Sequence, residues 1–236
     1  MSTRSLPLGV EPQPGQERMR ITRVLIVEDE RLMGELLGEV IQDEPDLTVV
    51  GIARSVADVA DYRGRPPEVV LMDFRLPDGT GAEAARIIKS RWSMPRIVML
   101  SAFHDDETVL ESIQAGADGF LSKDSSAEDI VAAVRAARAG ETLLPPALIS
   151  EIARRVTLGR VPGEPPQRIE PLTGREREVL REMASGRSTR EICDRFGMAP
   201  NTLRTHVQHI LTKLGAHSKL EAVTIAMRHG LVEPPR

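Results

Sequence analysis

The sequence predicts a doubly wound α/β domain followed by a small all-helical domain. Up to about residue 139, short apolar runs suited to buried parallel strands alternate five times with stretches of helical periodicity. Beyond residue 170 the strand-like runs stop, and three Ser/Thr-x-x-Glu patterns mark successive helix starts. Charge divides the chain in the same place. Residues 1–150 carry 16 basic against 25 acidic side chains, whereas residues 151–236 carry 15 against 10, so the two halves are built for different partners.

The elements follow in order. Residues 1–20 hold Pro7, Gly9, Pro12, Pro14 and Gly15 without periodicity and are expected to form a disordered lead-in. Val24 to Val27 is a buried strand ending on Glu28-Asp29-Glu30, after which Leu32, Met33, Leu36, Leu37, Val40 and Ile41 recur at helical spacing. Leu47 to Ala53 reads as a strand, Ser55 to Tyr62 as a helix, Val69 to Met72 as a strand and Ala82 to Ser90 as a helix. The series closes with strand Ile97 to Leu100, helix Glu107 to Ala115, strand Gly119 to Leu121 and helix Ala127 to Ala139, the last opened by Ser126-x-x-Asp129.

Four apolar residues, Val69 to Met72, stop at the carboxylate of Asp73, and Pro77, Gly79 and Gly81 punctuate the loop that follows. In open parallel sheets chemistry gathers at the carboxyl ends of strands. That rim collects Glu28 and Asp29 after the first strand, Asp73 after the third, Ser101 after the fourth and Lys123 after the fifth. Clustered carboxylates repel unless they share a cation, and oxygen donors of this kind suit Mg²⁺. A carboxylate beside Mg²⁺ is also a nucleophile towards phosphorus, with Lys123 and Ser101 as charge partner and hydrogen-bond donor to phosphoryl oxygens.

The runs Val27-Glu-Asp29, Leu71-Met-Asp73-Phe-Arg-Leu-Pro77, Met99-Leu-Ser101-Ala102 and Gly119-Phe-Leu-Ser-Lys123 resemble the flavodoxin-like, CheY-like receiver domain of two-component response regulators, over about Ile21 to Ala139. The resemblance implies that Asp73 is the phosphoacceptor. It further implies that Glu28 and Asp29 form the acidic pair, with Asp29 the direct Mg²⁺ ligand, and that the backbone carbonyl of Arg75 is another ligand. By the same resemblance Ser101 follows the phosphoryl group, Lys123 pairs with it, and Phe120 turns inward on activation, plain core packing being the alternative for that ring. Asp124 stands where many receivers have proline, and Phe120 where many have tyrosine.

Residues 140–170 contain five prolines and read as a linker, interrupted by a short helix over Ala147 to Val156. In the domain expected over 171–236, Thr173-x-x-Glu176, Ser188-x-x-Glu191 and Ser218-x-x-Glu221 begin three of four helices. The remaining helix, Pro200 to about Leu214, turns Leu203, Val207, Ile210 and Leu214 inward, and Val179, Leu180, Ile192, Phe196, Val223 and Ile225 are expected to complete the core of this domain. Another face carries Asn201, Arg204, Thr205, Gln208 and Thr212, with no acid between Asn201 and Ala216. That face fits an ordinary surface helix or a reader of the DNA major groove, where Arg recognises guanine and Gln or Asn adenine. Arg187, Arg190, His206, His209 and Lys213 are candidates for phosphate contacts.

Leu172-Thr-Gly-Arg-Glu-Arg-Glu-Val-Leu180, Ser188-Thr-Arg-Glu-Ile192, Asn201-Thr-Leu-Arg-Thr-His-Val207 and Lys213-Leu-Gly215 resemble the LuxR-type helix-turn-helix. The whole chain resembles a NarL/FixJ-family response regulator. That resemblance implies a DNA-contact set of Asn201, Thr202, Arg204, Thr205, Gln208, His209 and Lys213, and a homodimer through the last helix, Ser218 to about Arg228. It also implies a sensor histidine kinase, double-stranded DNA and RNA polymerase as partners, Mg²⁺ as cofactor and regulation of transcription by a protein that is not an enzyme.

An aspartyl-phosphate phosphatase is the enzymatic alternative, but Arg75 occupies the place where such enzymes carry a second aspartate. A phosphorylation-independent regulator is the other alternative, against which the intact set of Glu28, Asp29, Asp73, Ser101 and Lys123 argues. No apolar run approaches the ~20 residues of a membrane span, and no signal-peptide core opens the chain. The expected location is therefore cytoplasmic, to which the single Cys193, a packing residue, is suited.

Overall fold

Val24 to Val27 and Val69 to Met72 become neighbouring interior strands of a five-stranded sheet because each is apolar on both faces, and both runs lie wholly buried. The computed structural model describes residues 21–92, 94–101, 106–141 and 170–232. The lead-in and the linker helix expected over Ala147 to Val156 lie outside the described residues. The first body runs β1 (Thr22–Val27), α1 (Arg31–Gln42), β2 (Leu47–Ala53), α2 (Val56–Asp61), β3 (Val69–Asp73), β4 (Arg75–Leu76), β5 (Gly79–Thr80), α3 (Gly81–Arg91), β6 (Arg96–Ser101), α4 (Asp106–Gln114), β7 (Gly119–Ser122) and α5 (Ala127–Ala139).

The sheet is parallel in the order β2-β1-β3-β6-β7. Its two faces are separated by the strand period of two. Val24, Ile26, Val69, Leu71, Val98 and Leu100 pack against Leu37 and Ile41 of α1 and Ile130, Val131 and Val134 of α5. Leu25, Val27, Val70, Met72, Ile97 and Met99 face the other way, onto Val59 of α2, Ala82, Ala85 and Ile88 of α3 and Ile113 of α4. Strand order reverses between β1 and β3, and open α/β sheets bind ligands at the carboxyl ends of such a switch point. Glu28, Asp29 and Asp73 stand there.

One element was not predicted. β4 and β5 form a two-stranded antiparallel hairpin apart from the main sheet, with Arg75 opposite Thr80 and Leu76 opposite Gly79. Two residues per strand are too few to leave a periodic trace in sequence. Immediately after it Thr80 and Glu83 make a full capping box that opens α3.

The second body comprises α6 (Gly174–Ala184), α7 (Thr189–Phe196), α8 (Pro200–Leu214) and α9 (Lys219–Arg228). Val179, Leu180, Ile192, Leu203, Val207, Ile210 and Leu214 are buried as expected, whereas Phe196, Val223 and Ile225 are only half-buried. The guanidinium of Arg175 covers the Phe196 ring at 4.1 Å, a cation–π contact that lets an aromatic sit at the rim. Thr173 with Glu176 and Ser188 with Glu191 are complete capping boxes. Ser218 is half of one: its hydroxyl accepts from the Glu221 amide, but the Glu221 carboxylate accepts from the His217 amide. Cys193 is buried.

The bodies meet where the Lys219 ammonium donates to the Gly140 carbonyl at the end of α5 and to Thr189 Oγ1 at the start of α7. Burial, with the nearby Arg96 charge, pulls that amine down to about 8. No helix among the described residues is long and apolar enough to cross a membrane.

Ala199 holds the extended conformation of an N-cap before Pro200 but makes no side-chain bond to the first turn of α8. An Ala199→Ser chain should therefore gain about 1 kcal/mol, read as a higher unfolding midpoint in urea. An unchanged midpoint would mean that the first turn is already satisfied.

Candidate functional site

Glu28 follows β1 with none of its surface exposed, and Asp73 ends β3 at 5% exposure. Two carboxylates out of water at one sheet edge demand compensation. Lys123, just beyond β7, supplies it: its Nζ donates to Asp73 Oδ2 at 2.7 Å and to Glu28 Oε2 at 2.9 Å and Oε1 at 3.1 Å. Burial pushes the Glu28 carboxyl up, against the pull of Lys123, and the neighbouring Asp73 charge pushes the same way. For Lys123 burial alone lowers the ammonium, but its bonds to Asp73 and Glu28 outweigh that and hold it above its ordinary value. Lys123 is thus a fixed cation aimed at the Asp73 carboxylate.

Asp29 is exposed beside this pair, and one carboxylate oxygen each of Glu28, Asp29 and Asp73 lie within 4.8 Å of one another. Three hard oxygen donors, one of them open to solvent, fit a divalent cation that keeps several waters, as Mg²⁺ does. The Arg75 amide donates to Asp73 Oδ1 at 3.4 Å, so the backbone of the residue expected to lend its carbonyl runs beside the carboxylate. The turn can pass so close because Gly81 has no side chain: a Cβ there would lie 2.1 Å from the Asp73 carbonyl oxygen.

The backbone register sets Ser101 at the end of β6 opposite Ser122 of β7, on the rim that carries Asp73. Phe120 pairs with Met99 inside the sheet and is 3% exposed, its ring already within the core. Sequence reasoning missed Asp78. Its carboxylate accepts from the Val56 and Ala57 amides at 2.7 and 2.9 Å, joining the turn after Asp73 to α2, and those bonds hold its carboxyl low. An Asp-Gly turn gives no sign of a helix start twenty residues earlier in the chain.

On α8, Leu203, Val207, Ile210 and Leu214 are buried while Asn201, Thr202, Arg204, Thr205, Gln208 and His209 are exposed. The outward face is the polar, acid-free one expected of a groove reader. Two threonine hydroxyls bond back to the helix, Thr205 to the Asn201 carbonyl and Thr212 to that of Gln208, which leaves their methyl groups for apolar contacts. Lys213 differs from the rest. Its ammonium donates to Glu176 Oε2 at 2.7 Å, and Glu176, 3% exposed, also accepts from the Thr173 amide at 2.7 Å. Lys213 is therefore held to the base of α6 and braces α8. Burial raises the Glu176 carboxyl, but Lys213 and the Thr173 amide overcome this and leave it low.

A carboxyl with a lowered folded pKa stabilises above its ordinary value and loses that contribution as pH falls through the folded value. Stability of the second body should accordingly fall below about pH 4.5, and Glu176→Gln should flatten that fall when helicity of the full chain is followed between pH 6 and 3. Equal slopes for the two chains would remove Glu176 from the account.

Comparison with known proteins gives two family matches. Residues 24–135 match the response regulator receiver domain, and residues 170–226 match the bacterial regulatory proteins of the luxR family. The "Uncharacterized transcriptional regulatory protein YxjL" of Bacillus subtilis (strain 168) is 35% identical over 212 residues, covering 89% of this chain and 97% of that one. The "DNA-binding transcriptional activator DevR/DosR" of Mycobacterium tuberculosis (strain ATCC 25618 / H37Rv) is 31% identical, covering 91% and 98%. The crystal structure of a LuxR-family two-component response regulator from Aurantimonas sp. SI85-9A1 superposes with a TM-score of 0.52 at 29% identity, covering 58% of this chain and 99% of that one.

Proposed function

The chain belongs to the two-component response regulators with a receiver domain and a LuxR-type DNA-binding domain, and from that membership we propose that Asp73 is its phosphoacceptor and the outward face of α8 its reader of DNA. The observation that carries the proposal is the Lys123 ammonium held between Asp73 and Glu28 on the rim where the strand order reverses between β1 and β3. Asp73 attacks the phosphorus of a donor phosphohistidine on a sensor kinase; the new bond is from its carboxylate oxygen to phosphorus, and the bond from phosphorus to the imidazole nitrogen breaks. Glu28, Asp29, Asp73 and the Arg75 carbonyl would hold Mg²⁺, which when bound would neutralise charge on the phosphoryl oxygens. Lys123 stays with Asp73 and moves its donated hydrogen bond to a phosphoryl oxygen. Ser101 donates to another, and the Phe120 ring, already in the core beside Met99, responds as that rim shifts.

Phosphorylation then promotes a homodimer through α9. The contact of Lys219 with the end of α5 couples the start of that helix to the receiver. The α8 face stands open in the present arrangement, which supports control through pairing of two domains on half-sites about 10 base pairs apart. Arg204, Thr205 and Gln208 read bases, with Asn201, Thr202 and His209 beside them at the backbone. Lys213, braced by Glu176, adds less than its place in the motif suggests. RNA polymerase is the downstream partner, the setting is the cytoplasm, and the protein is a regulator and not an enzyme: Arg75 leaves no second carboxylate two residues after Asp73 to activate water.

Footprinting of wild type and Asp73→Asn on genomic fragments, before and after treatment with a phosphodonor and Mg²⁺, tests this reading. Protection that tightens only in the wild type supports it. Protection indifferent to treatment in both would sink it.

A further inference from the structure

The hairpin of β4 and β5 is fastened at its tip. Asp78 lies between the two strands, and its Oδ1 and Oδ2 accept from the amides of Val56 and Ala57, the first two residues of α2, at 2.7 and 2.9 Å. The next amide of that turn, Asp58, donates to Ser55 Oγ at 2.9 Å. The start of α2 is thus held twice, once by its own N-cap and once by a carboxylate from the turn after Asp73. The fit is close: a Cβ on Gly79 would come within 3.0 Å of Val56 Cγ2 and 2.2 Å of Glu83 Oε2.

β4 and β5 hydrogen-bond only with each other and add no strand to the five-stranded sheet; of their four residues Leu76 alone is buried, in the core beneath that sheet. At the base of the hairpin the Gly81 amide donates to the Phe74 carbonyl at 2.7 Å, and at the tip Asp78 joins α2. Arg75 is suspended between these two anchors. We propose that Asp78 is a positioning residue for the divalent-cation site, fastening the hairpin to α2 so that the Arg75 carbonyl is presented beside Glu28, Asp29 and Asp73. The inference rests on reading that acidic cluster as a cation site. Mg²⁺ tolerates little departure from short oxygen distances in octahedral array. Loss of an outer residue that orients a ligand commonly weakens metal binding about 10- to 100-fold.

The test is direct binding by the full chain. Mn²⁺ is titrated by the loss of its free electron-paramagnetic-resonance signal, then displaced with Mg²⁺, in wild type, Asp78→Ala, Asp78→Asn and Ser55→Ala, with thermal melts of each. Asp78→Ala should raise both dissociation constants about 10-fold or more. Asp78→Asn, whose amide oxygen keeps one of the two bonds, should raise them less, and it carries the comparison if the alanine chain does not fold. Ser55→Ala removes the other anchor of α2 without touching the hairpin, and should lower the melting temperature while leaving both constants within about twofold, since no ligand-bearing segment moves. Unchanged binding by the Asp78 variants, or equal weakening by Ser55→Ala, overturns the proposal. Mn²⁺ binding that survives both Asp29→Asn and Asp73→Asn would place the cation elsewhere, which removes the underlying reading and is distinguishable from failure of Asp78 alone.

Discussion

An Asp73→Asn chain given a small phosphodonor and Mg²⁺ should remain unlabelled under conditions that label the wild type to near one phosphoryl group per chain. Asparagine keeps the volume of aspartate and an oxygen for the Lys123 ammonium, which lies 2.7 Å from Asp73 Oδ2. It lacks the anionic oxygen that attacks phosphorus. The fold should survive, because Glu28 still accepts from Lys123 through both carboxylate oxygens, and one buried carboxylate fewer eases the repulsion at the rim. The expected result is complete loss of label with an unchanged far-ultraviolet dichroism spectrum. Label that persists on Asp73→Asn would locate the phosphoacceptor on another residue. Lys123→Ala provides the contrast. It leaves Asp73 and Glu28 buried together without their cation, and should slow labelling and destabilise the chain at once.

The second large effect belongs to Arg204. Its side chain stands exposed on the acid-free face of α8, one turn beyond the helix start and about a quarter turn around the helix from the buried Leu203. Arginine offers a guanine edge two parallel donors in a planar, preorganised fork. Truncation to alanine should cost about 1–3 kcal/mol of discrimination at the base it reads, a loss of roughly 5- to 150-fold in affinity for the preferred site. Affinity for unrelated DNA should change far less. Lys213→Ala is the informative partner. Glu176 holds that ammonium at 2.7 Å, so its removal should disturb the seat of α8 more than the salt dependence of binding. Competition binding across single-base variants of the footprinted site, at several salt concentrations, separates the two. A uniform fall across all sequences for Arg204→Ala, with a salt slope lower by about 1, would make Arg204 a phosphate contact and not a base reader.

The helix and strand bounds of the first body were legible because its interior strands β1 and β3 are buried on both faces. Continuous apolar runs such as Val24 to Val27 and Val69 to Met72 contrast sharply with amphipathic stretches such as Arg31 to Gln42. Capping residues were legible for a related reason, since a Ser or Thr hydroxyl and a Glu three residues on satisfy amides within one turn, and their bonding is local. The prediction succeeded fully at Thr173 and Ser188 and by half at Ser218, where Glu221 is drawn to the His217 amide instead. The candidate core of the second body was overdrawn at Phe196, Val223 and Ile225, because periodicity marks a side of a helix and not the depth of its neighbours.

By itself the sequence determined that an acidic pair, Asp73, a hydroxyl and Lys123 end four of the five strands of one parallel sheet, and that a polar helix face free of acids follows in a second domain. Each of those properties is a matter of residue type at a local spacing. Only the tertiary structure decided which partners these groups take. Lys123 bridges Asp73 and Glu28, Asp78 leaves its own turn to cap α2, and Glu176 claims the ammonium of Lys213. The separations along the chain, from about twenty residues to nearly a hundred, exceed any local period. Such pairings are set where buried or helix-end charges must find the nearest complement, and that is fixed by how the layers pack.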